Sequence, residues 1–145
     1  MMSHDRLQEL ANSFIRALRD CERNGNVEQL TALFSPKALL GNLALPHPMH
    51  GKEGARVFWQ DYRHAFKEIH SHFNHVNGGG PVVALEWTSE GTLRSGKPVN
   101  YRGVSLLEFD DEESGLITRF QAYYDSVALT EIVGGHAPRE TSAAA

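Results

Sequence analysis

Apolar residues recur at helical spacing through the first half of the chain. Over residues 5–24 they fall three or four positions apart, which is typical of an amphipathic helix, and Gly25 is suited to end it. The same spacing predicts a short second helix over residues 27–34, because Pro36 prevents its continuation. A third helix is predicted over residues 52–69.

The second half of the chain changes to an extended pattern. Four stretches are bounded by turn residues, over 71–77, 82–93, 99–109 and 115–127, and a shorter apolar strand covers 38–45. Successive strands with short loops pair antiparallel, and helices gathered on one face of such a sheet define the α+β class. We expect one domain over residues 1–133 and a small, polar tail over 134–145.

Composition argues against two classes of partner. The 145 residues carry a net charge of −4, whereas a nucleic-acid surface needs a clustered basic face. No apolar run approaches the ~18–20 residues that span a bilayer. We therefore expect neither a nucleic-acid nor a membrane partner. The single cysteine, Cys21, cannot form an internal disulfide, which favours a reducing compartment and predicts a cytoplasmic protein.

Four short motifs occur in a telling order along the chain. They are Gly25-Asn26-Val27, His50-Gly51-Lys52-Glu53, Gly96-Lys97-Pro98-Val99 with Gly103, and Phe120-Gln121-Ala122-Tyr123-Tyr124-Asp125. Together they resemble the NTF2-like superfamily, and within it the SnoaL-like branch of polyketide cyclases, over about residues 7–133. The resemblance implies a cone, in which three N-terminal helices pack on a curved antiparallel sheet around an apolar pocket. It also implies a homodimer.

Two enzyme groups with this fold give more specific comparisons. The positions that match the catalytic residues of ketosteroid isomerases are Leu18, Asn42 and Ser105, and asparagine cannot take up a proton at neutral pH. This argues against steroid isomerisation by that mechanism. The segment from Asn42 also resembles limonene-epoxide hydrolases, but Thr88 stands where their arginine is expected. Hydration chemistry therefore stays open.

Glu86 is the first candidate for acid–base chemistry. Alternate residues of a strand face the pocket of a cone. We assign one set to the pocket, Ala84, Glu86, Thr88 and Glu90, and the other to a convex, dimer-facing surface, Val83, Leu85, Trp87 and Ser89. A carboxylate in an apolar pocket has a raised pKa, which suits a general acid or base. The alternative is a solvated or ion-paired Glu86.

Asp125 is the second candidate. In SnoaL-like cyclases the matched aspartate is the acid–base group of the aldol ring closure, so the resemblance implies that Asp125 shuttles a proton. Strict alternation places Asp125 opposite Tyr124, and a bulge would be needed to turn it inward. The alternative is that Asp125 caps the following turn.

Five further residues are candidates for substrate binding. Asn42 would hold a water or a substrate oxygen, or make a turn bond at its strand end. Tyr101 would donate a hydrogen bond to a carbonyl oxygen, or be a core residue with a satisfied hydroxyl. The aromatic side chains of Tyr124, Trp59 and Phe14 would wall the pocket or belong to the core.

The histidines give one further candidate but no metal site. His72 at the mouth of the cavity could assist proton transfer, since histidine titrates near neutrality. His70 and His72 share a strand face, but His75 does not, and no cysteine ligand is available. We expect no metal and no cofactor, because carboxylates and hydrogen-bond donors can handle an enolate or a water.

These observations lead to one hypothesis and two alternatives. The hypothesis is a cofactor-independent enzyme that acts by general acid–base proton transfer on a hydrophobic carbonyl compound or epoxide, as a cyclase, isomerase or hydrolase. The alternatives are a non-catalytic binder of an apolar small molecule and a dimeric protein-interaction module.

Overall fold

The computed structural model describes residues 2–126. The predicted tail over 134–145 and the last part of the predicted strand, at 127, lie outside the described residues. Three helices and six strands are present in the described part: α1 His4–Asn24, α2 Glu28–Ala32, β1 Phe34–Asn42, β2 Met49–His50, α3 Gly51–His64, β3 Phe66–Gly79, β4 Val82–Leu93, β5 Pro98–Phe109 and β6 Ile117–Tyr124. None of these helices is long and apolar enough to cross a membrane.

The first helix begins and ends where its sequence indicates. The Ser3 hydroxyl accepts a hydrogen bond from the backbone N–H of Arg6 at 3.1 Å, which caps the N-terminus. Gly25 adopts φ 78° and its N–H bonds the carbonyl of Cys21. This left-handed conformation suits glycine and closes the helix.

The strands form one sheet in the order β2-β1-β6-β5-β4-β3. Strands β3 to β6 form the predicted antiparallel meander. Strand β1 pairs with the far end of the meander and runs parallel to β6, with Leu40 opposite Phe120. The sheet is therefore antiparallel apart from this one pairing. It carries α1 and α3 on one side, which is the α+β arrangement expected from the sequence.

Several predicted boundaries are wrong, chiefly because strand pairing overrides local helical spacing. The third helix ends at His64 rather than at 69, since Phe66 pairs with Leu93 and Ile69 with Gly91 in the sheet. The second helix ends at Ala32 rather than at 34, and the strand predicted over 38–45 spans Phe34–Asn42 instead.

An aromatic cluster fills the space between the helices and the sheet. Its members come from α1, β1, α3 and β6: Phe14, Phe34, Phe58, Trp59 and Phe120. The Trp59 and Phe120 rings lie 5.1 Å apart between centroids. Burying each such ring contributes about 2 kcal/mol, so the cluster fixes the helices on the inner face of the sheet.

Candidate functional site

The burial pattern of β4 identifies the inner face of the sheet. Val83, Leu85, Trp87 and Ser89 are buried, whereas Glu86 and Glu90 are exposed. The assignment of Glu86 and Thr88 to the pocket side is therefore wrong, and the set expected on a dimer surface is part of the domain's own core. Alternation correctly separates the two sets, but it cannot say which set the helices cover.

Burial also alternates along the neighbouring strands β5 and β6. On β5, Tyr101 and Ser105 are buried and Arg102 is exposed. On β6, Tyr124 is buried, and the following Asp125 is exposed, so Asp125 is not turned inward. Ser105 Oγ accepts a hydrogen bond from Trp87 Nε1 at 2.9 Å, which supplies a partner for the buried indole.

The buried group best suited to acid–base chemistry is the side chain of Glu22, which was not identified from the sequence. Its carboxylate is buried near the C-terminal end of α1. Oε2 accepts hydrogen bonds from the Tyr62 hydroxyl at 2.5 Å and from Ser71 Oγ at 2.6 Å, and Oε1 accepts one from the Ser71 N–H at 2.9 Å. Ser71 Oγ lies 2.6 Å from Ser89 Oγ, so the chain of hydroxyls reaches β4.

Burial sets the protonation of this group. Desolvation raises the pKa of the Glu22 carboxyl above its ordinary value, although the hydrogen bonds from Ser71 and Tyr62 oppose the rise. Desolvation, followed by the negative charge of Glu22, also raises the pKa of Tyr62 well above its usual range. Tyr62 therefore stays a hydrogen-bond donor at neutral pH, while Glu22 is poised to exchange a proton.

Tyr101 completes this site. Its side chain is only 3% exposed, and its hydroxyl has no hydrogen-bond partner among residues 2–126. Burial, then the negative charge of Glu22, raises the pKa of Tyr101, so its hydroxyl stays protonated at neutral pH. We call Glu22, Tyr62, Ser71, Ser89 and Tyr101 the interior cluster.

A second donor near the interior cluster also lacks an acceptor within the described part of the chain. Trp59 Nε1 is buried without a partner, and its ring packs edge-on against Tyr62 at 5.8 Å. Buried donors are normally hydrogen-bonded, so two unpartnered donors, one in the interior cluster and one packed against it, are unusual. A bound molecule with an acceptor oxygen would satisfy such donors.

The structure brings the two predicted catalytic carboxylates to a different place. Glu86 and Asp125 both line a depression of about 580 Å³ on the other side of the sheet. We call it the outer depression, and its lining also includes Thr88, Arg102, Tyr123 and Tyr124. The backbone N–H of Asp125 donates to the Arg102 carbonyl at 2.9 Å, which extends the strand pairing to this point.

The remaining predicted residues are spread over the fold. Asn42 is buried, and its Oδ1 accepts hydrogen bonds from the N–H groups of Ala44 at 2.9 Å and Leu45 at 3.1 Å, which is the turn bond given as the alternative. Phe14 and Trp59 lie in the aromatic cluster. His72 is exposed, and its Nε2 lies 3.7 Å from Glu90 on the outer face, so it does not line the inner side of the sheet.

Tyr124 connects the two regions. Its ring packs on Tyr101 at 6.3 Å, and the residue also lines the outer depression. Burial raises the pKa of Tyr124 to about 12, so the phenol is neutral at physiological pH. Among residues 2–126, no three His, Cys, Asp or Glu side chains are grouped so that they could hold a metal ion.

Comparison with known families now identifies the fold. The profile of a family described as a SnoaL-like domain matches residues 15–120. The chain belongs to this family. The matched segment runs from α1 into β6 and contains all five residues of the interior cluster. None of the curated protein sequences matches the chain.

Solved structures agree with this assignment at the level of the fold. An NTF2-like protein from Anabaena variabilis superposes with a TM-score of 0.75 at 19% identity, covering 88% of this chain and 97% of that one. A protein with a ketosteroid isomerase-like fold from Catenulispora acidiphila, in complex with trimethylamine, gives 0.72 at 20% identity and covers 86% and 94%. TerC co-crystallised with polyporic acid gives 0.74 at 18% identity and covers 89% and 98%.

Glu22 could have been found from the sequence by one signal. It lies four residues after Leu18 and eight after Phe14, on the apolar stripe of α1. A carboxylate at a core-facing helical position needs buried partners, and such positions are candidates for function. Its partners Tyr62 and Ser71 are distant in sequence, so their convergence could not be read from spacing.

Proposed function

We propose that this SnoaL-like protein is a cofactor-independent enzyme that transfers protons on a hydrophobic carbonyl compound or epoxide, and that the interior cluster is its active site. The observation that carries this proposal is the buried Glu22 carboxyl with a raised pKa, in the same buried interior as the unpartnered Tyr101 hydroxyl. Acid–base catalysis is most efficient when the pKa lies near the working pH, and burial moves Glu22 in that direction.

Each residue of the cluster has a defined role in this proposal. Tyr101 donates a hydrogen bond to the substrate carbonyl oxygen and stabilises the negative charge that develops there. The Glu22 carboxylate accepts a proton from the adjacent carbon, and the electron pair of the broken C–H bond forms the enolate. Return of that proton to another atom completes an isomerisation. Alternatively, the enolate carbon attacks a second carbonyl within the substrate and closes a ring, and Glu22 returns the proton to the alkoxide oxygen that forms. Tyr62 and Ser71 hold the carboxylate in place.

The surroundings of the cluster favour an apolar substrate. The Trp87 and Tyr101 rings pack edge-on with their centroids 5.4 Å apart, and the Tyr124 ring packs edge-on against Tyr101. Aromatic side chains therefore flank the Tyr101 hydroxyl. Apolar sites with a few convergent polar groups are the usual form of a small-molecule site. TerC, which shares this fold, was co-crystallised with polyporic acid, and this supports a small-molecule ligand for the present chain.

The outer depression is a second candidate for the same chemistry. Its support is the meeting of Glu86, Asp125 and Tyr124 in one concave surface. If the outer depression is the active site, Asp125 and Glu86 act as the acid and the base. Both carboxylates are exposed, whereas Glu22 is buried, and we rank this site second.

The non-catalytic alternatives use other features. A binder of an apolar ligand would use the interior donors without proton transfer. A homodimer would use the outer face, where Tyr123 is 43% exposed and neighbours Val104 across the strands. Cytoplasmic location remains a prediction from the cysteine content.

A thermal-shift screen tests the proposed site. The purified protein would be screened against polyketide-like phenols, terpene epoxides, lactones and steroids, because a ligand that binds only the folded state raises the melting temperature. We expect a shift that Glu22→Gln and Tyr101→Phe reduce, while Glu86→Gln and Asp125→Asn leave it unchanged. The reverse pattern would assign the ligand to the outer depression.

Proton exchange on a ligand found in this way tests catalysis. Incorporation of deuterium next to the carbonyl in D₂O would be followed by NMR, with Glu86→Gln as the matched control. We expect Glu22→Gln to slow exchange about 100-fold, the typical contribution of a positioned base. Ligand binding without any enzyme-dependent exchange or turnover would favour the non-catalytic binder.

A further inference from the structure

A separate concave site lies where α1 and α3 end. It has a volume of about 560 Å³ and is formed by the last turns of both helices, the start of β3 and the turn after β4. Its lining contains four cationic side chains, an imidazole and one carboxylate: Arg23, Arg63, Lys67, Arg94, His64 and Asp61. We call this the basic depression. The whole chain carries a net charge of −4, so this concentration of positive charge is strongly uneven.

Two of its arginines are fixed by backbone carbonyls. Arg94 Nε and Nη2 donate to the His64 carbonyl at 3.0 and 2.8 Å, and Arg63 Nη1 donates to the Phe66 carbonyl at 2.9 Å. Cations are favoured beside the carbonyls at a helix C-terminus, and this accounts for part of the charge. A guanidinium has five N–H donors, and these bonds leave Arg94 Nη1 uncommitted.

Most of the positive charge in the basic depression is not neutralised by carboxylates. Within residues 2–126, Arg63, Lys67 and Arg94 form no ion pair, and Arg23 has one, with Asp20 at 3.3 Å. Arg63 Nε is buried and has no hydrogen-bond partner in that part of the chain. Helix capping explains the carbonyl contacts of Arg63 and Arg94, but it explains neither the exposed ammonium of Lys67 nor this unpartnered donor.

We propose that the basic depression binds a small phosphate ester. Guanidinium groups match phosphate oxygens in geometry as well as charge, and arginines already held in place lose little freedom on binding. Lys67 adds a mobile charge at the rim. This site is built from different side chains from those of the interior cluster, so the two proposals stand or fall separately.

Calorimetric titration of the full chain with inorganic pyrophosphate tests the site. We expect saturable binding that weakens as salt is added, because the contacts are ionic. Lys67→Glu removes one cation and adds an anion without breaking any hydrogen bond of the described structure, and we expect it to weaken binding about tenfold.

Lys37→Glu is the matched control. It makes the same charge change at another exposed strand lysine, on β1, which three strands separate from β3. We expect it to change the affinity less than about twofold, since exposed charges beyond a Debye length are screened. Equal weakening of pyrophosphate binding by both variants would mean that the affinity depends only on the overall charge of the protein. That result, or the absence of saturable binding at low salt, would overturn the proposal.

Discussion

The interior cluster and the outer depression place carboxylates in opposite environments on two sides of one sheet. Glu22 is 4% exposed and accepts three hydrogen bonds, whereas Glu86 lies on the solvent side of β4. The polar pattern of the sequence draws attention to Glu86 and Asp125, but burial gives Glu22 the perturbed ionisation. The difference shows that a carboxylate's neighbours, rather than its position on a strand, determine whether it suits acid–base catalysis.

Removal of each carboxylate is expected to give the largest difference between the two sites. Glu22→Ala leaves the Tyr62 hydroxyl and the Ser71 N–H buried without their acceptor, and each such group costs about 1–3 kcal/mol. We expect the free energy of unfolding to fall by about 3 kcal/mol. The matched change Glu86→Ala should alter it by less than about 0.5 kcal/mol. Urea denaturation of both variants measures this, and equal losses would contradict the contrast.

The two buried tyrosines make a second matched pair. Tyr62→Phe deletes a donor to a carboxylate and should cost about 2 kcal/mol of unfolding free energy. Tyr101→Phe removes a hydroxyl with no partner in the described part of the chain, so it should be neutral or stabilise the free protein by about 1 kcal/mol. A loss in Tyr101→Phe as large as in Tyr62→Phe would mean that the Tyr101 hydroxyl is already bonded in the free protein.

The pH dependence of stability is the smallest expected effect. Burial raises the pKa of Glu22 in the folded state above its unfolded value near 4.5. The contribution of Glu22 to the free energy of unfolding is fully present at a pH below the unfolded pKa. It is lost as the pH rises through the folded pKa, and the loss is about 1.4 kcal/mol for each pKa unit between the two values. Denaturation across this window should show the loss in the wild type and a flatter profile in Glu22→Gln. Identical profiles would contradict a raised pKa.

The fold was largely predictable because its signals are local. The helical stripe of α1, the glycine at its end and the turn residues between strands predicted the helices and the meander. The end of α3 was not predictable in this way, since Phe66 and Ile69 continue the helical spacing and become strand only through pairing with β4.

The site was less predictable because its residues are brought together by tertiary structure. Tyr101 was identified from its match to the family, and the structure buries it. Glu86 was placed on the wrong side because the apolar set of β4, which includes Val83, Leu85 and Trp87, was assigned to a dimer surface rather than to the core. Glu22, Tyr62 and Ser71 come from two helices and a strand, so no single window of sequence contains the interior cluster.

The ionisation of Glu22 tests the central claim most directly. NMR of protein labelled with ¹³C at the glutamate carboxyl groups, with Glu22→Gln to assign the signal, would follow the titration of this one group with and without a ligand from the thermal-shift screen. We expect a pKa above the ordinary value near 4.5 in the free protein and a further change when the ligand binds. Titration at the ordinary value, unaffected by the ligand, would contradict the assignment of Glu22 as the acid–base group.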